Sequence, residues 1–426
     1  MDRRIVLAAA AAIVLVSSSL GGGPVARAGD VVAAAGSVTV GSNQSEALPK
    51  AAFKAMMAYC ATQTGVTPTV RTFDHAKFQD GITAYLRGTP ADVFTWFGGE
   101  KMRSLVRQHL VRPVTDVWAG ITGEYSAAMK AASTASDGKQ YLVPTSTYPW
   151  VFLYRKSLFA AKGYAVPTTF DELIALAKRM RADGLVPMAS ADLDGWPAMG
   201  TFDILDMRLN GYRFHMDLMA GRAKWTDPRV KAVFVEWKKG LPYTQPGALG
   251  RTWQQGMQAL VDESAGTYFM GTFAADQATD PAVFNDLGMF AFPTLGTAYD
   301  AEMAIDAPID GLMLSRSPKN LAGAKAILAC ASTGAAQLEL LASQPTAVAA
   351  NRTADTSGYW DYQEQMAAIL AGSKKVAQFL DRDTRPDFAG PAGMQLFLRS
   401  FLANPNQDLG ALQRRIQAFY AALPPQ

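Results

Sequence analysis

Aromatic residues stand just past the carboxyl ends of several predicted strands, each beside small polar side chains. They are Trp96, Phe97, Tyr148, Trp196 and Phe273. In open α/β sheets ligands bind beyond these strand ends, and an aromatic face suits the apolar C–H face of a pyranose ring. Core packing is the competing interpretation for each aromatic taken alone. Their recurrence at equivalent positions favours one shared cleft.

Polar residues that could hydrogen-bond the hydroxyl groups of a sugar lie near the same strand ends. They are Asn43, Glu46 and Asp310, with the Thr-Ser-Thr segment at 145–147. Ligand sites commonly combine a mostly apolar lining with a few such polar groups. We therefore predict that these polar residues and the aromatic residues together form a ligand-binding site.

The motifs of several enzyme classes are absent from the sequence. It contains no phosphate-binding glycine loop, no G-x-S-x-G, no H-E-x-x-H and no C-x-x-C. His75, His109 and His215 occur singly among polar residues, so we expect them at the surface. We expect neither a metal site nor a cofactor. Carboxylates are plentiful, so a general acid–base pair stays possible, and with it the alternative of a secreted carbohydrate-active hydrolase.

Length and charge limit the class of protein. The chain has 426 residues, more than one ordinary core holds, so we expect two domains. The formal net charge of +3 favours neither nucleic acid nor an anionic membrane as a partner, and a neutral small molecule fits better. Cys60 and Cys330 lie on the apolar faces of predicted helices far apart in sequence, and we expect them to be unpaired.

The first 28 residues have the pattern of a secretory signal peptide. Arg3 and Arg4 precede a short apolar run at 5–16, and Ala26-Arg27-Ala28 supplies small residues around a cleavable bond. The run is shorter than the roughly 20 residues that a membrane span needs. Neither cysteine lies at its end. We therefore expect a soluble, exported, periplasmic protein without a lipid-anchor cysteine.

The predicted elements alternate between strands and helices along the chain. In its first hundred residues these are strands at 37–40, 67–73 and 91–96, with helices at 49–63 and 74–86. This β-α-β-α-β order predicts a parallel sheet wrapped by helices. The segment 138–159 reads as two apolar strands joined by a proline-containing loop, and we interpret it as a crossing between two lobes.

The motifs along the chain resemble those of a known family. In order they are FQDGITAYLRGTPADVFTW, GKQYLVPTSTYPWVFLYRKSLF, GYAVPTTFDELIALAKRMRADGLVPMA, MGTFAAD and SPKNLAGAKAILACAST. The second and third are similar to the G-K-x-Y-x-x-P, Y-N-K-x-L-F and P-x-T-W-x-E-L-x-x-A motifs of sugar-binding proteins that serve bacterial ABC importers. The resemblance is to extracellular solute-binding protein family 1, in the maltodextrin-binding superfamily, and covers nearly all of the mature chain.

The resemblance implies a fold and a function. The fold would be α/β, the two-lobed periplasmic-binding-protein fold of type II, with each lobe a sheet wrapped by helices and a cleft between them. Lobe 1 would comprise 31–144 and 313–352, and lobe 2 would comprise 145–312 and 353–426. The protein would be a monomeric receptor without enzymatic activity. It would capture a mono- to oligosaccharide by hinge closure and deliver it to ABC transporter permease subunits.

Position by position, the resemblance also implies where the site residues lie. Asn43 and Glu46 would lie at the mouth of the first strand, and Asp310 at a second crossing. Three departures from the family motifs affect the size and orientation of the expected sugar: Arg155 replaces Asn, Phe170 replaces Trp, and Phe273 replaces a ring-stacking Trp. A binder of a non-sugar solute with the same fold remains an alternative.

Overall fold

A computed structural model describes residues 36–425. The predicted signal peptide and its cleavage site lie outside these residues. The strands, in chain order, are β1 Gly36–Ser42, β2 Val66–Thr72, β3 Val93–Phe97, β4 Val111–Arg112, β5 Leu142–Thr147, β6 Trp150–Arg155, β7 Val186–Ala189, β8 Ala265–Gly271, β9 Leu287–Phe290, β10 Ile305–Asp306, β11 Ile309–Ser315, β12 Val348–Ala349 and β13 Val376–Ala377.

The helices account for most of the remaining chain. The α-helices are α1 Ala47–Thr64, α2 His75–Arg87, α3 Glu100–Arg107, α4 Thr115–Gly120, α5 Ala127–Ala132, α6 Lys156–Lys162, α7 Phe170–Ala182, α8 Pro197–Asn210, α9 Tyr212–Met219, α10 Pro228–Gly240, α11 Trp253–Val261, α12 Pro281–Asn285, α13 Leu321–Ala331, α14 Gly334–Ala342, α15 Asp361–Gly372, α16 Leu380–Asp383, α17 Pro386–Ala389, α18 Met394–Ala403 and α19 Leu409–Ala422. Short 3₁₀ helices lie at Leu241–Tyr243, Ala248–Gly250, Thr272–Gln277, Ala298–Glu302 and Thr356–Gly358.

The larger sheet contains the first three strands. Its order is β12-β5-β11-β3-β1-β2, and β4 pairs with β11. Strand β1 is parallel to β2 and to β3, whereas β11 is antiparallel to β3 and β5. Every residue of β3 is buried, as expected for a strand covered on both faces. The predicted β-α-β-α-β order, with its parallel strands, is confirmed.

The second sheet has four strands in the order β7-β8-β6-β9. Strand β6 is antiparallel to β8 and β9, and β7 is parallel to β8. Helix α7 covers this region and begins at a capping box, in which the side chains of Thr169 and Glu172 each accept a hydrogen bond from the other residue's backbone N–H group. Strands β10 and β13 form a small separate pair.

The chain passes between the two large sheets within the segment 138–159. Strand β5 ends at Thr147 in the larger sheet, and β6 begins at Trp150 in the second sheet. The chain returns after β9, when β11 enters the larger sheet at Ile309. Two short connections therefore lie close to Tyr148 and Asp310. The residue limits of the two lobes remain a prediction.

Cys60 and Cys330 form a disulfide bond, so the prediction that they are unpaired was wrong. Both lie in one hydrophobic cluster with residues of α1 and α13. The apolar face of each helix was visible in the sequence. The disulfide forms because the apolar faces of α1 and α13 pack against each other. The hydrophobic pattern of one helix does not show which other helix it packs against.

His215 is completely buried, so the prediction of a surface position was wrong for this residue. Its Nδ1 lies 3.0 Å from Oδ2 of Asp206, one helix earlier. His109 is exposed, as predicted. His75 is also exposed, and it lines a cavity described below. The polar residues next to His215 in sequence suggested a surface position. His215 instead lies on the buried side of α9, together with Leu218 and Met219.

Candidate functional site

A cavity of about 780 Å³ is lined by residues at strand ends of both large sheets. All the predicted site residues line it: Asn43, Glu46, Trp96, Phe97, Tyr148, Trp196, Phe273 and Asp310. Its volume falls in the range of about 300–1,000 Å³ typical of small-molecule sites. The fold therefore brings these residues together. Their contact with a ligand stays a prediction.

The loop after β1 supplies polar groups on one side of the cavity. The Oγ1 of Thr95 in β3 donates a hydrogen bond to Oδ1 of Asn43 at 2.8 Å and accepts one from the Asn43 backbone N–H at 2.9 Å. These bonds fix Asn43, which is buried, beside the end of β3. Glu46 precedes α1 and is exposed.

Trp96 and Phe97 at the end of β3 have different surroundings. Trp96 is 4% exposed and packs against Phe78 and Phe94, with ring centroids 6.1 and 6.4 Å away. Its indole Nε1 is buried without a hydrogen-bond partner among residues 36–425. The Phe97 ring instead faces cations, because the guanidinium carbon of Arg382 lies 4.2 Å from its centroid. Much of the Phe97 face is thus occupied by the protein itself.

Arg382 joins the two connections between the sheets. Its Nη1 donates to Oδ1 of Asp310 at 2.8 Å and to the carbonyl of Ile309 at 3.2 Å. Its Nη2 donates to the hydroxyl oxygen of Tyr148 at 2.8 Å. Burial opposes the charge on Arg382, but the neighbouring Tyr148, Asp310 and Asp381 outweigh it and raise its pKa. The guanidinium therefore stays charged.

A second cation extends this network. The Nζ of Lys101 in α3 donates to Oδ2 of Asp381 at 2.6 Å and to Oε1 of Gln79 at 2.8 Å. It also lies 4.8 Å from the centroid of the Phe97 ring. Lys101 and Arg382 thus share one aromatic ring, and each is paired with a carboxylate. We call the set Arg382, Asp310, Tyr148, Lys101 and Asp381 the cleft network.

Aromatic rings form the side of the cavity that belongs to the second sheet. Trp196 immediately precedes α8, and its ring centroid lies 6.1 Å from that of Phe273. Phe273 meets the edges of Tyr148 and Trp253, each at 5.3 Å between centroids. Trp196, Phe273 and Trp253 are only partly buried, so ring surface remains for a ligand. We call these three residues the aromatic wall.

Asp276 and His75, which also line the cavity, have shifted pKa values. Burial raises the pKa of Asp276 to about 7, although hydrogen bonds from Thr346 and Gln344 oppose this. Desolvation by the surrounding protein lowers the pKa of His75, although the nearby Asp310 opposes this and the residue is exposed to the cavity. At neutral pH His75 is therefore uncharged, and Lys101 and Arg382 are the cations that line the cavity.

A buried acidic cluster lies behind α16, outside the cavity. It consists of Asp203, Asp206, Asp306 and His215, all fully buried. Burial and like charges raise the pKa of Asp203 well above its ordinary value, and burial also raises that of Asp306. Burial disfavours charge on His215, but the hydrogen bond and charge of Asp206 raise its pKa overall. Bound protons therefore neutralise much of the carboxylate charge in this cluster.

The sequence of the chain matches a known protein family. A family model described as bacterial extracellular solute-binding protein matches residues 41–338. The chain belongs to this family. The resemblance to this family, stated from the sequence motifs, is thereby confirmed, and the protein is a solute-binding protein.

Solved structures of similar fold cover nearly the whole solute-binding protein. The bacterial solute receptor AcbH, described as having an exclusive preference for β-D-galactopyranose, is 40% identical, with a TM-score of 0.88 over 91% of this chain and 98% of that one. The maltotriose-binding protein of Thermus thermophilus is 14% identical, with a TM-score of 0.69 over 90% of this chain and 98% of that one, which bears on the fold alone. The predicted two-lobed fold of type II is confirmed.

Curated relatives match only part of the chain. An uncharacterized ABC transporter extracellular-binding protein of Pyrococcus horikoshii is 29% identical over 216 residues, which are 48% of this chain and 48% of the relative. A probable sugar-binding periplasmic protein of Rhizobium meliloti is 27% identical over 141 residues, 32% of this chain and 34% of the relative. The chain thus spans about half, or less, of the length of these curated relatives.

Sequence reasoning missed several residues of the solute-binding protein that line the cavity. They are Gln79, Lys101, Trp253, Asp381 and Arg382. Trp253 could have been found, because the pattern Thr252-Trp-Gln-Gln255 is a capping box that opens a helix just before β8. The Asp381-Arg382-Asp383 run carries no strand pattern or helical period. Its place in the site depends on tertiary packing.

Two further findings concern the described part of the chain. Within residues 36–425, no three His, Cys, Asp or Glu side chains are arranged to hold a metal ion. No helix of the same range is long and apolar enough to cross a membrane.

Proposed function

We propose that this solute-binding protein captures a neutral sugar, with a galactose-like hexopyranose as the first candidate. The observation that carries the proposal is the partly exposed aromatic wall adjoining the hydrogen-bonding Tyr148 and Asp310 in one cavity. Rings bind the apolar face of a pyranose, and the polar groups bind its hydroxyls. The 40% identity with a galactose receptor over 91% of the chain supports this choice of sugar.

The remaining features of the proposal follow from the family. The two lobes, with the limits 31–144 and 313–352 against 145–312 and 353–426, would close on the ligand about the connections near Tyr148 and Asp310. The closed, monomeric receptor would deliver the sugar to an ABC-type permease. It would act in the periplasm without a lipid anchor and without catalysis. A ligand shifts such an equilibrium only by its greater affinity for the closed form.

A calorimetric titration and a thermal-shift screen test the choice of ligand. D-galactose should bind and raise the unfolding midpoint, since a ligand at 100 times its dissociation constant stabilises the folded state by about 2.7 kcal/mol. D-glucose, maltose and D-galacturonate serve as comparison ligands. Failure of every sugar to bind would overturn the proposal. Release of products from oligosaccharides during incubation would favour a hydrolase.

Small-angle X-ray scattering tests the proposed motion. The saturated complex should have a smaller radius of gyration than the unliganded protein, because lobe closure brings mass together. An unchanged profile with a ligand that calorimetry shows to be bound would contradict hinge closure while leaving sugar binding intact.

A further inference from the structure

Arg382 contacts three of the predicted site residues and is itself buried. It reaches Asp310, Tyr148 and the ring of Phe97 from α16, which comes late in the chain. It is 7% exposed, so its own guanidinium is largely used within the protein. Its effect on a ligand must therefore pass through the groups that it holds.

The chemistry of a guanidinium fixes the polarity of its partners. Arginine only donates hydrogen bonds, so the oxygen of Tyr148 accepts the bond from Nη2 and the phenolic hydrogen must point elsewhere. Burial raises the pKa of Tyr148, so that this hydrogen is retained. The Oδ1 of Asp310 accepts from Nη1, which leaves Oδ2 as an acceptor. Both Tyr148 and Asp310 line the cavity.

We propose that Arg382 is a positioning residue that presents Tyr148 as a hydrogen-bond donor and Asp310 as an acceptor to the ligand. This proposal rests on the proposed function, because it names how that site selects its sugar. The site then favours a neutral ligand whose hydroxyl groups both donate and accept at these two points. A sugar that lacks the hydroxyl group facing Tyr148 loses the bond that Tyr148 donates.

The backbone around Arg382 is held firmly, as positioning requires. Oδ2 of Asp203 accepts the N–H of Leu380 at 2.6 Å, and Oδ2 of Asp383 accepts that of Gln378 at 2.7 Å. Gly99 has φ +73°, and a Cβ there would lie 2.2 Å from the carbonyl oxygen of Arg382. Only glycine allows this close approach. Helix α16 is thereby fixed against the start of α3.

A double-mutant cycle measured by galactose affinity tests the proposal. Tyr148→Phe and Arg382→Lys should each weaken binding by about 3- to 10-fold, the usual range for one hydrogen bond. In the Tyr148→Phe background, Arg382→Lys should cost clearly less than it does alone, because the two variants remove the same bond to the sugar. Fully additive costs would overturn the proposal, since they would mean that Arg382 does not act through Tyr148.

Arg155→Lys is the matched control. Arg155 is also paired with a carboxylate, Asp286 at 2.6 Å, and donates to a carbonyl. The family motifs suggested an effect of Arg155 on the sugar, but the residue does not line the cavity. Its replacement should leave galactose affinity unchanged. An equal loss of affinity in Arg155→Lys and Arg382→Lys would assign the effect to general damage and overturn the proposal.

Deoxygalactoses provide a test that does not depend on folding of an Arg382 variant. Among the 2-, 3-, 4- and 6-deoxy sugars, one should bind the unaltered protein as weakly as galactose binds Tyr148→Phe, and it should lose nothing more in that variant. If Tyr148→Phe weakened the binding of every deoxy sugar further, the proposal for Arg382 would be overturned, while the proposed function would stand. Absence of any sugar binding by the unaltered protein would overturn the proposed function and this inference together.

Discussion

The cleft network includes two residues of α16, and the buried acidic cluster contacts α16 through Asp203. These two groups neutralise their charges in opposite ways. In the cleft network, Lys101 and Arg382 each pair with a carboxylate at 2.6–2.8 Å. In the buried acidic cluster, both carboxyl oxygens of Asp306 and one of Asp203 have no hydrogen-bond partner among the described residues. In the cleft network, the carboxylates are therefore neutralised by Lys101 and Arg382. In the buried acidic cluster, bound protons neutralise much of the carboxylate charge.

The largest expected effect comes from breaking the cleft network at its centre. Arg382→Met should lower the free energy of unfolding by up to about 3 kcal/mol, because Asp310 and Tyr148 lose their partner in a buried setting. The expected cost lies at the lower end for a buried pair, since the Asp310 side chain keeps 21% exposure. Urea unfolding measures this cost. Arg213→Met is the control, because that side chain is 96% exposed; equal costs would contradict the account.

The next effect separates the aromatic wall from the charged groups beside it. Trp196→Ala should weaken sugar binding by about 1–3 kcal/mol, because it removes a ring face from the cavity. Stability should fall much less. Calorimetry and thermal unfolding on one sample measure both. A stability loss of about 3–5 kcal/mol with affinity unchanged would assign Trp196 to the core.

A smaller effect concerns the pH dependence of stability, which should show that protons neutralise the buried acidic cluster. The raised pKa of Asp306 means that the folded state holds a proton which the unfolded chain releases near pH 4. Stability from this group is therefore fully present below that pH and is lost as pH rises through the folded-state pKa of about 8. The raised pKa of His215 acts in the same direction.

Asp306→Asn should flatten this decline. The fall in unfolding midpoint between pH 5 and pH 7.5 should shrink by about 1 °C, which corresponds to about 1 kcal/mol for a chain of this length. The neighbouring groups Asp203, Asp206, Asp383 and His215 will shape the remaining slope. Asp262→Asn, at an exposed acid, should leave the profile unchanged. A profile of Asp306→Asn that parallels the unaltered protein would contradict a proton-neutralised interior.

The smallest effect concerns the departure at Phe273. Phe273→Trp enlarges one ring of the aromatic wall and leaves both charged groups intact. It should change the relative affinities for galactose, glucose and maltose with little change in the unfolding midpoint. Unaltered sugar preference would show that ring size at this position does not set selectivity.

Local sequence determined the elements and the recurrence of aromatics at their ends. The alternating strands and helices of the first hundred residues lie where they were predicted. The helix caps at Thr169 and Gly65 are local features of the same kind, because each depends on residues a few positions apart. The strand ends then converge by topology, since the parallel strands of one sheet present the same ends at one edge. That is why Asn43 and Phe97, at the carboxyl ends of the parallel strands β1 and β3, could be predicted to share a cavity. Asp310 begins the antiparallel strand β11, and its place in the site was implied by the family resemblance.

Tertiary structure alone decided the pairings between distant segments. The Cys60–Cys330 disulfide, the burial of His215 and the insertion of Arg382 between Tyr148 and Asp310 join segments that no local period relates. Each depends on which helix face packs against which neighbour. A charged or polar residue in a short helix looks exposed in sequence, and only the partners brought to it in three dimensions make its burial favourable.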